Sequence, residues 1–173
     1  MPAYFSINFE LNKSKTVVRD FYSALVGAGF AFKSGLWEFQ NSSFEDIVAW
    51  NQKLIDDCHK LANNYNYAYD FQQIEFDFAD FSKIRVLMNA NEKYSSFVVE
   101  LIIPEDDFVE WTKEDDDYIP HKKLEKMDLL KEAAKKIWNS LEILAIQTAW
   151  ELSDYNTPEA NLISNIIYSP FSL

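Results

Sequence analysis

With 173 residues and 48% hydrophobic content, the chain is long enough to form one domain with a sizeable core. Its 28 acidic and 16 basic residues give a formal net charge of -12, which disfavours nucleic acid as a partner because a polyanion requires clustered cations. A single cysteine, no signal-peptide pattern and no apolar run of membrane-spanning length predict an unprocessed cytoplasmic protein that contacts no membrane.

The first hundred residues alternate between strand and helix patterns. Apolar residues at every second position predict a strand over residues 3–11, and helical spacing predicts a helix over 14–26 that ends at Gly27. Two short apolar stretches around Lys33-Ser-Gly35 predict a hairpin over residues 29–40.

A second helix follows, and then a second strand. Ser42 and Glu45 have the spacing of a capping box, and helical periodicity continues from there to about Leu61. Alternation returns from Phe71 to Phe78, which predicts a strand.

Residues 84–103 predict a hairpin whose register follows from its apolar pattern. With a loop of four residues, 91–94, apolar positions on the two strands face each other, and Arg85 lies directly opposite Glu100. The apolar pairs are Ile84 with Leu101, Val86 with Val99, and Met88 with Phe97. The strand 97–103 is apolar on both sides, which predicts a central strand covered on both faces.

The last third of the chain predicts a helix, a strand and a further short helix. Residues 120–141 form an amphipathic pattern, Ile143 to Leu152 is typical of a strand, and Thr157-Pro158 starts a helical pattern that reaches Ile167. Residues 169–173 are expected to form a loose tail. The order of elements indicates one α+β domain over residues 1–173, with a mixed or largely antiparallel sheet of six to seven strands and three to four helices packed on it.

An acidic segment, residues 104–118, is the most distinctive feature of the sequence. It contains eight acidic residues and one lysine, so it contributes -7 to the net charge, and aromatic residues lie between the acids. We interpret it as an acidic loop that contacts a basic partner, although six lysines at 122–136 offer a counter-surface within the chain. The predicted contact residues are Phe108, Trp111, Asp115, Asp116, Asp117 and Tyr118.

Most catalytic and cofactor motifs are absent. Cys58 and His59 are neighbours on a predicted helix and point about 100° apart, so they do not form a nucleophile and base pair, and a buried inert thiol is the simpler interpretation. The chain has too few cysteine and histidine residues for a structural zinc site, and the consecutive acids at 114–117 lack the spacing of a calcium loop. We therefore predict no cofactor and no metal.

One polar constellation supports an alternative. Glu75 and Asp77 share a strand face, and Glu100 lies in an apolar strand where it needs a partner, which the proposed register supplies as Arg85. The four residues are consistent with a polar pocket of an enzyme or small-ligand-binding domain. A structural ion pair between Arg85 and Glu100 is the other interpretation.

The leading hypothesis is a non-enzymatic binding protein for a basic protein partner, as an inhibitor or an immunity-type antagonist. In its small size, acidity and lack of motifs the chain resembles bacterial immunity and inhibitor proteins, a likeness of composition that carries no residue roles across. The alternative is an enzyme or small-ligand binder at the polar constellation.

Overall fold

A computed structural model describes residues 4–57, 70–90, 94–107, 109–114, 117–150 and 166–168. These residues form three α-helices: α1 (Val17–Ala28), α2 (Phe44–Asp57) and α3 (Leu124–Ser140). They also form nine strands: β1 (Tyr4–Asn12), β2 (Ala31–Gly35), β3 (Ile74–Phe78), β4 (Phe81–Ala90), β5 (Ser96–Pro104), β6 (Val109–Glu114), β7 (Asp117–Lys122), β8 (Ala145–Trp150) and β9 (Ile166–Tyr168).

The main sheet is antiparallel throughout, with the order β2-β3-β4-β5-β1-β8-β9. Six of its strands form the body of the sheet, and the three-residue β9 extends one edge. Strands β6 and β7 pair separately as a two-stranded sheet. The predicted α+β class and the largely antiparallel sheet are confirmed.

The hydrophobic core lies between one face of the sheet and the helices. Alternate residues of β1 and β5 are buried on this face, as the period-2 pattern predicts. Aromatic rings join the layers: Phe21 of α1 contacts Phe9 edge-to-face at 5.2 Å, and Tyr22 stacks on Phe76 at 6.1 Å. The helices are therefore packed on the sheet through aromatic side chains.

The opposite face of the sheet is polar and only partly covered. Strand β5 is central, as predicted, but Val98, Glu100 and Ile102 on this face are half-buried, in contrast to the fully buried set on the helix face. The predicted covering of both faces is therefore only partial on this face.

Two predicted turns at glycine are wrong. Helix α1 continues through Gly27 and ends at Ala28, and the next residue, Gly29, has a φ of 110°, the left-handed conformation common after a helix C-terminus. The predicted hairpin over 29–40 does not form, because β2 runs through Gly35 and a 3-10 turn follows at Trp37–Phe39.

Helix α2 begins one residue later than the predicted capping box. The Ser43 hydroxyl accepts a hydrogen bond from the Asp46 backbone amide at 3.1 Å and donates one to the Asp46 carboxylate at 2.7 Å. The capping pair is therefore Ser43 and Asp46, and the predicted pair Ser42 and Glu45 is wrong. Residues 58–69, which include Cys58, His59 and the predicted helix end at Leu61, lie outside the described residues.

The β4–β5 hairpin has a register two residues away from the predicted one. Val86 lies opposite Leu101 and Met88 opposite Val99, so a longer connection replaces the predicted four-residue loop. A shift of two preserves the faces, since side chains alternate with a period of two, and the apolar face was predicted correctly. Arg85 lies opposite Ile102, so its predicted position opposite Glu100 is wrong.

Near the C-terminus the predicted strand is confirmed as β8, but both predicted helices differ from the structure. Helix α3 begins at Leu124, four residues after the predicted start, because residues 117–122 belong to β7. Ile166 and Ile167 lie in β9, so the last helical pattern does not extend to them. Residues 157–165 and the predicted tail at 169–173 lie outside the described residues.

Candidate functional site

The acidic segment, residues 104–118, begins as the end of a strand of the main sheet and continues into a hairpin. Strand β5 ends at Pro104, a 3-10 turn covers Glu105–Asp107, and β6 and β7 then pair with each other. The segment predicted as a loop is thus mostly ordered as a two-stranded ribbon. The ribbon pairs separately from the seven-stranded sheet.

Three of the six predicted contact residues have positions in the ribbon ladder. Trp111 lies opposite Pro120, Tyr118 opposite Lys113, and Asp117 opposite Glu114. Phe108, Asp115 and Asp116 lie outside the described residues.

The ribbon presents charged side chains to solvent. Glu110, Lys113, Glu114 and His121 are exposed. The Thr112 hydroxyl and His121 Nε2 are 2.7 Å apart and form a cross-strand hydrogen bond. Two exposed glutamates on one strand make this ribbon a candidate surface for a cationic partner.

The base of the ribbon is more enclosed. Glu105 and Asp107 are buried, whereas Asp106 between them is exposed. Burial raises the pKa of Glu105, and the neighbouring charge of Asp106 raises it further. A carboxylate with a raised pKa opposes folding at neutral pH, since its charged form is less favourable in the native state than in the unfolded chain.

Two lysines of helix α3 make ion pairs with acidic residues outside the acidic segment. Lys126 lies 3.0 Å from Asp80 and over the ring of Phe81 at 5.1 Å, and Lys131 lies 3.6 Å from Asp128. The Asp80 contact lowers the pKa of that carboxyl through its hydrogen bond to Lys126. These two lysines, which belong to the possible counter-surface for the acidic segment, contact other acidic residues.

The residues of the alternative pocket lie on the polar face of the sheet. The Arg85 guanidinium lies over the Tyr4 ring at 5.3 Å from its centre, and Glu100 lies between Leu87 and Asn8 on the neighbouring strands. Arg85 and Glu100 are therefore diagonal neighbours, not a directly opposed pair.

Glu75 and Asp77, the two remaining residues of that pocket, are held by one lysine. Lys33 Nζ lies 2.8 Å from Glu75 and 3.6 Å from Asp77, and the carboxylates raise the pKa of Lys33, with the hydrogen bond to Glu75 as the main cause. Lys33, Glu75 and Asp77 therefore form a cross-strand ion network between β2 and β3.

A concave surface of about 360 Å³ lies elsewhere, between the first turn of α1 and α2. Lys15, Arg19 and Lys53 line it, together with Asp56 and Gln52. The Gln52 side chain accepts a hydrogen bond from the Val18 backbone amide at 2.9 Å, so the helix N-terminus has a partner within the chain. This groove is consistent with α1–α2 packing.

Two exposed tryptophans form a feature that sequence reasoning missed. Trp37 is 69% exposed and Trp50 is 47% exposed, and the ring of Phe39 lies 5.4 Å from that of Trp50. The sequence contained a signal, because Leu36 and Trp37 are adjacent apolar residues and cannot both face the core from one strand.

Among the described residues, no group of three or more histidine, cysteine, aspartate or glutamate side chains is placed to hold a metal ion. None of the described helices combines the length and apolarity that a bilayer crossing requires. Comparison of the chain with protein-family models, with curated proteins and with solved structures gave no match.

Proposed function

We propose that this protein is a non-enzymatic binding protein that engages a basic protein through the acidic segment, in the manner of an inhibitor or immunity-type antagonist. The supporting observation is the net charge of -7 on residues 104–118, a segment whose second half enters a ribbon that pairs separately from the main sheet in the described part of the chain. Such a field attracts a cationic partner and orients it before contact.

The separate pairing of the ribbon adds a physical argument. A two-stranded hairpin is marginally stable in water by itself, and the register of this one sets two acidic residues, Glu114 and Asp117, opposite each other. A basic partner would relieve this repulsion and bury the ribbon. The ribbon therefore gains more from a cationic partner than a neutral surface element would.

Aromatic residues give the same segment a means of tight contact. Trp111 and Tyr118 have ladder positions in the ribbon, and tryptophan and tyrosine are enriched among residues that dominate binding energy. In this proposal the acids govern the rate of encounter and the aromatic residues slow dissociation.

A pair of charge-reversal variants tests the proposal. The ribbon variant carries Glu110→Lys and Glu114→Lys, and the control variant carries Glu125→Lys and Glu132→Lys on the exposed side of α3, so both have the same net charge. Each protein is immobilised and used to capture partners from the native cell. We expect wild type and control to retain the same basic protein and the ribbon variant to lose it.

The captured partner then allows a kinetic test. Between about 0.01 and 0.15 M ionic strength the screening length falls from 30 Å to 8 Å, and we expect the association rate of the wild-type complex to fall at least tenfold. An association rate that ignores ionic strength, or equal capture by the ribbon variant, would contradict the proposal.

A further inference from the structure

We propose that Trp37, Phe39 and Trp50 form a second contact surface, the aromatic face, which takes an arginine or lysine side chain of the basic partner. The inference rests on the proposed function for the basic character of that partner. It adds a site outside the acidic segment, next to edge strand β2. In the main sheet, β3 and β4 lie between β2 and β5, the strand that leads into the acidic segment.

The aromatic face is held in place by specific contacts. The Trp50 indole donates a hydrogen bond to the Asp70 carbonyl at 3.1 Å, and Phe39 packs against the Trp50 ring. The turn that carries Trp37 is closed by the amides of Phe39 and Gln40, which donate to the carbonyls of Leu36 at 3.0 Å and Trp37 at 3.1 Å. The Trp50 ring and the backbone turn that carries Trp37 are thus held in place before any partner binds.

Trp37 also has a backbone conformation that bulky residues rarely adopt. Its φ of 52° lies in the left-handed region, where glycine or asparagine is favoured and an aromatic residue is strained. Trp37 is exposed, so packing in the core does not explain a tryptophan at this position. Its backbone conformation disfavours a bulky side chain, so the geometry of the turn does not explain it either. Contact with a partner does account for it, since tryptophan is the residue most enriched in binding hot spots.

The charges around the aromatic face favour a cation as the occupant. Glu38 is exposed between Trp37 and Phe39, and Asp46 is exposed one helical turn before Trp50. The Asp70 carboxylate oxygen Oδ2 is buried without a hydrogen-bond partner among the described residues, on the residue that holds the Trp50 indole. Lys53 on the next turn of α2 is the opposing charge.

Arginine suits this combination because it stacks on an indole face and donates to a carboxylate at the same time. A second copy of this chain is the less suitable occupant, because two molecules of charge -12 repel each other. A basic segment of a protein partner is therefore the occupant that the surface fits.

A nine-residue arginine peptide serves as the probe, and the indole N–H signals of the ¹⁵N-labelled protein report where it binds. Assignment uses Trp37→Phe and Trp50→Phe. We expect the signals of Trp37 and Trp50 to shift on titration, while the signal of half-buried Trp138 stays in place. We expect Trp37→Ala to weaken peptide binding at least fivefold, whereas Tyr94→Ala, which removes another exposed ring, leaves the affinity unchanged.

The Asp70→Asn variant separates recognition from folding. Because Asp70 Oδ2 is buried with no hydrogen-bond partner among the described residues, the amide should leave the thermal midpoint unchanged or higher, while peptide affinity falls. A lower midpoint with unchanged affinity would assign Asp70 a purely structural role and contradict its part in the proposal.

The ribbon variant makes the two proposals distinguishable. If the peptide binds but the Trp37 and Trp50 signals do not shift, the aromatic face is refuted and the acidic segment remains the contact. In the opposite case, the Trp37 and Trp50 signals shift equally in wild type and in the ribbon variant, and the ribbon variant still captures the native partner. This result would refute the acidic segment as the contact and support the aromatic face.

Discussion

Gly35 and Gly27 both lie within regular secondary structure, but they differ in whether a larger side chain would fit. A Cβ atom added to Gly35 would lie 2.7 Å from Ile47 Cδ1 and overlap the carbonyl oxygen of Phe39. Around Gly27, on α1, no heavy atom of the described chain lies within 4 Å of an added Cβ. One glycine permits a close approach of two backbone segments, and the other only loosens a helix.

The same substitution should therefore act with opposite sign at the two positions. We expect Gly35→Ala to lower the free energy of unfolding by about 1–3 kcal/mol, because the chain must move to relieve the overlap. Gly27→Ala should raise it by about 0.5–1 kcal/mol, since alanine favours the helix and restricts the unfolded chain. Urea unfolding of the two variants measures both effects, and equal changes would contradict the packing described at Gly35.

Single residues also mark where sequence reasoning reached its limit. The end of α1 was placed at Gly27 because glycine terminates helices, but Gly29 also fits, and the apolar stripe does not distinguish them. In the structure the helix continues to Ala28, and the Ala28 side chain is buried in the core. Such a choice depends on tertiary contacts that a local pattern does not contain.

At the scale of elements, periodicity predicted faces better than it predicted registers or ends. In the β4–β5 hairpin, registers that differ by two residues bury the same side chains, so the apolar pattern fits both equally. The Arg85–Glu100 pairing depended on the register and was lost with it, although the apolar face was correct.

The acidic segment was assigned to a loop because aspartate and glutamate are depleted in strands. The alternation of Val109 and Trp111 with Glu110 and Thr112 was the opposing signal, and in the structure it corresponds to β6. Periodicity carried more information here than composition. The proposed contact residues were selected by charge and aromatic character, and these properties do not depend on the loop assignment.

The start of α2 provides a test of the capping pair. We expect Ser43→Ala to lower the free energy of unfolding by about 1 kcal/mol, because the Asp46 amide loses its acceptor at the helix N-terminus. Ser42→Ala, one residue earlier, should change it by less than about 0.5 kcal/mol. Thermal or urea unfolding compares the two variants, and the reverse order would restore the capping box predicted from the sequence.

At the scale of the whole molecule, the net charge of -12 acts on stability as well as on binding. Folding brings like charges closer together, so screening should favour the native state.

The fold class was predictable because it depends on the order and amphipathicity of elements, which are properties of the whole chain. The aromatic face was not predictable in the same way, since exposure of Trp37 depends on a turn that the sequence pattern assigned to a hairpin.

We expect the thermal midpoint to rise by about 2–4 °C between 0.01 and 0.15 M sodium chloride, which corresponds to roughly 1 kcal/mol for a chain of this size. The ribbon variant Glu110→Lys, Glu114→Lys should show a smaller rise, because it has less repulsion to screen. Differential scanning calorimetry measures both proteins. A midpoint that falls with salt would mean that favourable ion pairs, such as Lys33 with Glu75, outweigh the repulsion.

The central position of β1 has a consequence for synthesis on the ribosome. This strand is synthesised before both of its neighbours, which are β5, about 90 residues later, and β8, which begins at Ala145. No N-terminal fragment that ends before β8 places both neighbours beside β1. Most of the chain must leave the exit tunnel before the core closes, so we expect a growing chain to keep an apolar strand uncovered for most of translation and to depend on chaperones during that interval.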